Sequence, residues 1–193
     1  MKAIIFDRHG GPEVLTYTNV ADPCPGPGEV LICVGALTVN PGPDVMTREG
    51  TFGLPGFGLP HIGGSDPAGE VVAVGDGVTT PQVGDRVVVY PVLSCGSCDF
   101  CQPGSGENHC ENWRLWGAQT WGGRAELAKV PAANVVSLPE SVSWEAAAAL
   151  PVTYLTAWHG LVDCAGVNHR DTVLVLGAAG GVGVAAIQTR FRE

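Results

Sequence analysis

A mainly β domain that runs into the opening of an α/β domain is the fold class this sequence predicts. Three observations predict it. Only 15% of the 193 residues are charged while glycine (28) and proline (15) are abundant, a composition suited to short strands joined by tight turns. Short runs rich in β-branched residues recur up to position 92. After about residue 140 the texture changes to an alanine-rich stretch and then a glycine-rich turn. Hydrophobic residues make up 45% of the chain, ample for a packed core.

The strand runs are AIIF (3–6), VLTYTNV (14–20), VLICVGA (30–36), EVVAVG (70–75) and RVVVYPV (86–92). Each is bounded by Gly, Pro, Asp or Asn, as at PCPGPGE (23–29) and VGDR (83–86), so strand-turn-strand is the economical reading. From Ser141, SVSWEAAAAL places a serine three positions ahead of Trp144 and leads into four alanines, which predicts a capped helix interrupted by Pro151. A second helix is expected over Thr153 to Val162. DTVLVLGAAGGVGVAAIQTRF then predicts a continuous apolar strand (Val173 to Leu176), a glycine turn and the start of a helix. The expected division is 1–140 for the β domain and 141–193 for an incomplete α/β unit.

A formal charge of -9 repels phosphate backbones and anionic lipid, so nucleic acid and membrane surfaces are excluded as expected partners. A small, neutral or electrophilic molecule fits better. The N-terminal MKAIIFDRHG is broken by Asp7 and Arg8 and lacks the apolar core of a secretory signal. The most apolar run, VLVLGAAGGVGVAAI (173–187), is too short and too glycine-punctuated to span a bilayer. A cytoplasmic location is the expectation, and there the seven cysteines would stay reduced.

Residues 94–110 read SCGSCDFCQPGSGENHC, with thiols at Cys95, Cys98, Cys101 and Cys110. Four thiolates about 2.3 Å from one divalent ion make a closed tetrahedral shell. Closely spaced cysteines wrap an ion only where the backbone doubles back, which Gly96, Gly104 and Gly106 allow. With every ligand supplied by protein no position is left for substrate, so the predicted ion is a structural Zn2+ stapling a lobe at 94–112. An iron-sulfur centre is the competing reading. It is disfavoured because a ferredoxin run carries its fourth cysteine after three residues and a proline follows, whereas here eight residues intervene. A redox switch and four unrelated thiols are the remaining alternatives. Cys24, Cys33 and Cys164 stand alone, and His61 and His159 have no sequence-near partner, so core or surface roles are expected for all five.

GAAGGVG at 177–183 follows an apolar run and precedes a helix. In that context glycines let a dinucleotide pyrophosphate approach backbone N–H groups and the helix N-terminus. The candidate cofactor contacts are Gly177, Ala178, Gly180, Gly181, Val182 and Gly183. The spacing is not a strict G-x-G-x-x-G, so a plain tight strand-helix crossing is the alternative. Only ten residues follow Gly183, too few to reach the ribose-selecting side chain about 20 residues on, so NAD and NADP are not distinguished. Weak or absent cofactor affinity is expected of residues 1–193 alone.

PHIGGSDPAGEVVAVG (60–75), VGDRVVV (83–89), the cysteine lobe, AAALPVTYLTAWHGL (147–161) and VLVLGAAGGVG occur in the order found in the medium-chain dehydrogenase/reductase superfamily. The chain resembles that superfamily over essentially its whole length. The resemblance implies an N-terminal GroES-like (alcohol dehydrogenase N-terminal) β-barrel domain carrying the lobe zinc, followed by the start of a Rossmann domain. It also implies homo-oligomers among full-length relatives, which commonly dimerise through the cofactor domain.

The departures from the family pattern carry as much as the matches. Zinc-dependent alcohol dehydrogenases of the family hold a second, catalytic zinc with a cysteine on an early loop, a Gly-His-Glu segment and a further cysteine before the Rossmann domain. Here those places read Asn40, then Gly64-Ser65-Asp66, then the neighbourhood of Pro151 and Val152. One carboxylate with an amide and a hydroxyl is a poor site for a borderline-soft ion. The pattern resembles the quinone oxidoreductase-like branch, which implies NAD(P)H-dependent reduction of quinones or α,β-unsaturated carbonyls without a metal at the reacting centre. Enolate or quinol charge would then be met by hydrogen-bond donors. Asn40 and Ser65 would face that cleft, with structural hydrogen bonding the equal alternative, and no residue is assigned as catalytic. The early loop is also one residue longer than the family's Asn-x-x-Asp, and the gap before Cys110 is eight where seven is usual. The WRLWGAQTW stretch (113–121) is expected to pack under the lobe rather than line a substrate mouth. The alternatives to the reductase reading are an alcohol dehydrogenase with relocated ligands such as His61, Asp66 or His159, and a non-catalytic zinc-stapled β module.

Overall fold

In the computed structural model the described residues are 1–102 and 106–189; Gly104 lies outside them. β1 (Lys2–Ile5) pairs antiparallel with β2 (Thr16–Asn19). β3 (Glu29–Ala36) is followed by a π-helical turn over Pro41–Met46 and one turn of helix, α1 (Thr47–Glu49). β4 (Ala68–Val74) and β5 (Arg86–Val89) come next, then two short strands, β6 (Val92–Leu93) and β7 (Arg114–Leu115). β8 (Leu127–Pro131) and β9 (Val135–Ser137) complete a five-stranded sheet of order β8-β3-β4-β5-β9, antiparallel throughout.

The core lies on one face of that sheet. Val30 and Ile32 of β3, Val71 of β4, Val87 and Val89 of β5, and Ala128 and Val130 of β8 point into it and close around Trp116. Their spacing is the period-two alternation of a half-buried strand, interrupted where β3 and β4 slip register at Leu31/Ile32 and Val34/Ala36. Trp116 is almost fully buried. Its indole N–H donates to Lys129 O at 3.1 Å, so a large apolar body enters the core with its one polar atom satisfied.

The other face is covered by α2 (Trp144–Ala148), whose Ala147 and Ala148 pack on Ala68 and Val88. Side chains this small let a helix approach a sheet closely. Ser143, not Ser141, caps α2: it is extended (φ -70°, ψ 159°) and its Oγ accepts the Ala146 N–H at 3.2 Å. The cap must immediately precede the first helical residue for its oxygen to reach that far into the first turn. Trp144 stacks against the Arg86 guanidinium at 4.0 Å, and Arg86 donates to Glu140 O and Val142 O at 2.8 and 2.7 Å. Trp144 also occupies the space over Gly35, where a Cβ would come within 2.8 Å of the indole.

α3 (Thr153–Trp158) continues into a second π-helical turn, His159–Cys164, so the helix expected to end at Val162 runs to Cys164 with a wider last turn. α4 (Gly181–Gln188) lies against α3, with Gly181 facing Thr153. Two strand expectations change. RVVVYPV divides into β5 and β6 at Tyr90-Pro91, since proline has no N–H to give a ladder. Val173–Leu176 forms no strand among the described residues, and Leu174 and Leu176 are each 84% exposed. A strand exists only as part of a ladder, and no described residue pairs with this segment. Among the described residues no helix is long and apolar enough to cross a membrane.

Candidate functional site

The cysteine lobe is tied off at its neck by β6 and β7, paired Val92 to Leu115 and Leu93 to Arg114. Between them run two single 3-10 turns, Asp99–Cys101 and Glu107–His109. Gly96 and Gly106 both have positive φ (70° and 88°), supplying the reversals expected of them. The Sγ atoms of Cys95, Cys98, Cys101 and Cys110 all lie within 4.8 Å of one another. Cys101 Sγ is 3.8 Å from Cys95 Sγ and 3.5 Å from Cys98 Sγ. Ligands about 2.3 Å from a common zinc at tetrahedral angles stand about 3.8 Å apart, so the donor set fits that ion.

The backbone around the lobe is already arranged for anionic sulfur. Cys110 Sγ accepts the N–H of Cys95 at 3.2 Å and of Asn112 at 3.4 Å. The Ser97 N–H, then its hydroxyl and the Cys98 N–H, draw the Cys95 thiol down to about 5. The Glu111 N–H lowers Cys98 in the same way. Cys101 moves in the opposite direction, to about 11, first through desolvation and then through the neighbouring thiols. A metal that binds here displaces the protons the cluster retains.

A second polar cluster is buried under the early loop, bringing together Asn40, Asp44, Ser65 and Asp66. Asp66 Oδ2 accepts from Thr38 Oγ1 at 2.5 Å and from Asn40 Nδ2 at 2.9 Å. Asn40 Nδ2 also reaches Thr38 Oγ1 at 3.0 Å. The Asn40 N–H donates to Asp44 Oδ2 at 2.6 Å, and Arg124 Nη2 stands 3.0 Å from the same oxygen. Burial pushes the Asp44 carboxyl above its ordinary range, against the Arg124 charge and the N–H groups of Asn40 and Gly64. Burial likewise raises Asp66, opposed by Thr38 and Asn40 and reinforced by the Asp44 charge. Ser65 Oγ and Asp66 Oδ1 are buried with no hydrogen-bond partner among the described residues.

The π-helical turn Pro41–Met46 accounts for the long early loop. A π turn holds one residue more than an α turn, and this one opens with the four-residue bond of an α turn, the Asp44 N–H donating to Asn40 O at 2.9 Å. Thr38 and Arg124 escape sequence reasoning because they lie 28 and 80 residues from Asp66 and Asp44 respectively, with nothing near them in the chain to mark them.

The glycine turn holds the six candidate residues together. Gly177 has φ 68°, a region closed to side chains at no cost. Gly183 faces its own turn: a Cβ there would stand 2.3 Å from Gly177 O and 2.7 Å from Ala178 Cα. Gly180 caps α4, while Gly181, Val182 and Gly183 form its first turn. Their N–H groups lack intrahelical acceptors, the arrangement that receives a phosphate.

His61 is a core side chain. It is buried beside Phe6 and Phe57, its Nε2 is 3.2 Å from Gly117 O, and burial lowers its pKa. His159 corrects the expectation of a residue without near partners, because Asp163 and Cys164 both meet its ring. Pro151 and Val152 line an open cavity of 380 Å³ rather than joining the buried cluster. Of the tryptophans at 113–121 only Trp116 packs in the core. Trp113 and Trp121 remain nearly half exposed, Trp121 donating to Pro60 O at 3.0 Å.

Residues 26–140 match the alcohol dehydrogenase GroES-like domain. Human quinone oxidoreductase is 35% identical over 189 residues, which is 97% of this chain and 49% of that protein. Acryloyl-coenzyme A reductase of Metallosphaera sedula is 35% identical over 191 residues, 97% of this chain and 54% of that protein. The crystal structure of a cobalt- and zinc-bound thermostable alcohol dehydrogenase from Pyrobaculum aerophilum gives a TM-score of 0.89 at 40% identity, over 97% of this chain and 55% of that one. The chain thus spans about half the length of the relatives it matches. Mainly β, with a capped helix across the sheet and the match at 26–140, the chain belongs to the alcohol dehydrogenase GroES-like family of the medium-chain dehydrogenase/reductase superfamily.

Proposed function

We propose that the protein is an NAD(P)H-dependent oxidoreductase that reduces quinones or α,β-unsaturated carbonyls, with a structural zinc and no catalytic one. In this reading residues 1–140 form the GroES-like domain, with its lobe at 94–112, and 141–193 open the cofactor-binding domain. Cys95, Cys98, Cys101 and Cys110 hold the zinc. Gly177, Ala178, Gly180, Gly181, Val182 and Gly183 bring backbone to the cofactor pyrophosphate, and the protein works in the cytoplasm.

The observation that carries the reading is the commitment of the buried cluster to itself. Asp66 Oδ2 already accepts two hydrogen bonds, the Asn40 amide is spent on Asp66 and Thr38, and the His61 ring is held by Gly117. What remains is hard oxygen, which suits zinc poorly. The nicotinamide, when bound, supplies a hydride to an electrophilic carbon. The protein's own part is to hold the early loop rigid around that cleft through Asn40, Asp44 and Arg124. The names of the human and Metallosphaera relatives, a quinone oxidoreductase and an acryloyl-coenzyme A reductase, support the substrate class.

A zinc-dependent alcohol dehydrogenase is the second reading, favoured by the cobalt- and zinc-bound relative and by the unpartnered Ser65 Oγ and Asp66 Oδ1. Metal analysis joined to assay separates the two. The first expects one zinc per chain, lost on replacing Cys95 and Cys98 by Ser, with NADPH oxidised by a quinone or an enone when residues 1–193 are assayed joined to a complete cofactor-binding domain. Two zincs per chain, with alcohol-dependent NAD reduction abolished by chelator, would establish the second instead.

A further inference from the structure

We propose that Cys164, His159 and Asp163 form a reactive thiol site that adds covalently to soft carbon electrophiles of the α,β-unsaturated carbonyl class. His159 Nδ1 lies 3.0 Å from Asp163 Oδ2, and His159 Nε2 lies 3.5 Å from Cys164 Sγ. Both ring nitrogens are therefore engaged, one by a carboxylate and the other by a thiol. This is the nucleophile, base and orienting-group relation by which a weak nucleophile is activated.

The local backbone makes the grouping possible. In an α-helix residue i+5 is rotated about 140° from residue i, so a cysteine there could not share a face with both the histidine and its i+4 carboxylate. His159–Cys164 is instead a π-helical turn, whose wider repeat brings i+4 and i+5 to the same imidazole. All three side chains are exposed, so a reagent reaches the sulfur. His159 and Asp163 also line the 380 Å³ cavity whose other walls include Val92, Leu115, Leu155 and Trp158. An electrophile with an apolar body has a surface to rest on beside the thiol.

The addition needs no co-reactant. Sulfur forms a bond to the β-carbon while its proton passes to His159 Nε2, and the alkene electron pair moves to the carbonyl as an enolate. The α-carbon then takes a proton, by way of the imidazolium or water, to give a neutral thioether. Asp163 acts through His159, as a positioning residue that fixes the ring and supports its positive charge. This chemistry stands apart from hydride transfer, so it survives if the reductase reading fails.

The test uses the zinc-loaded 193-residue chain and limiting N-ethylmaleimide, with peptide mass spectrometry following each cysteine. Cys24 and Cys33 are exposed thiols in the same molecule and serve as internal references. Cys164 is expected to react about tenfold faster than either, since an imidazole within reach of the sulfur takes its proton as the new bond forms. His159→Gln should bring Cys164 to the reference rate. Asp163→Asn should give a partial loss that Asp163→Glu restores, with circular dichroism verifying that the helices persist. Equal rates at Cys164, Cys24 and Cys33, or a Cys164 rate unchanged by His159→Gln, would overturn the proposal.

Discussion

Asp66 is where one residue's chemistry and the fold pull against each other. Its carboxyl is buried and accepts two hydrogen bonds at a single oxygen while the other oxygen has no described partner. Burial raises its pKa above the ordinary value, so the folded state prefers the proton more than the unfolded state does. The stabilisation from this group is therefore fully present below the unfolded value of about 3.9 and is lost as pH rises through the folded one. Asp66→Asn has no proton to lose and retains a carbonyl oxygen for Thr38 and Asn40. Its stability relative to wild type should grow between pH 4 and 7, by up to about 1.4 kcal/mol for each unit by which the folded pKa is raised. Urea melts at several pH values measure this, and a difference that is flat or shrinks with pH would show that Asp66 is not held protonated. Asp44, also raised by burial, keeps part of the slope in both proteins. The Gly64-Ser65-Asp66 segment is legible in the sequence as a place without thiol or imidazole. What is not legible is that Thr38 and Arg124 complete it, because a hydrogen bond across 28 residues and an ion pair across 80 leave no local pattern.

At the scale of the element, the glycine turn and the two π-helical turns set what local sequence reveals. The strands richest in β-branched residues, β3 to β5, are visible as such runs. β8 and β9 are hidden because AKVPAANVV carries a proline and three alanines where β-formers would be expected. The π turns are invisible in advance because each takes in one residue more than an α turn and no residue type marks where that residue enters. Two helical glycines, Gly160 in the second π-helical turn and Gly183 in α4, separate propensity from packing. Replacing a helical glycine by alanine ordinarily stabilises by about 1 kcal/mol, and Gly160, with open space around its Cβ position and no positive φ, should behave that way. Gly183 should do the reverse. Its Cβ would collide with the backbone of Gly177 and Ala178, which cannot move aside as a side-chain tip can, so Gly183→Ala must open the turn. Hydrogen exchange is expected to show lost protection in the first turn of α4 for Gly183→Ala and unchanged or higher protection near residue 160 for Gly160→Ala. Equal protection at α4 in wild type and Gly183→Ala would mean that the turn does not depend on this close approach.

Over the whole molecule the apolar surface is distributed unevenly. The sheet encloses a core from which Val30, Ile32, Val71, Val87, Val89 and Val130 are wholly excluded from water. Beyond α3, Leu174 and Leu176 are exposed in a segment that pairs with no described strand, with Ile187 of α4 exposed as well. The sequence foretells this contrast: VLVL reads as the kind of strand that sits inside a parallel sheet, covered on both faces, and no described strand lies beside it. An exposed apolar segment with strand-forming sequence is a template for association. The chain is therefore expected to bind the apolar dye ANS while natively folded, and to rise in apparent mass with concentration. Replacing Leu174 and Leu176 together by Lys should roughly halve the dye signal, since contiguous exposed apolar area is what such dyes report, and should hold the apparent mass constant. The melting temperature should stay within about 2 °C of wild type, because surface changes outside a core stay within about 0.5 kcal/mol. A double variant that binds dye and associates as wild type does would mean that these two leucines are covered in solution, and the unpaired segment would then have found a partner of its own.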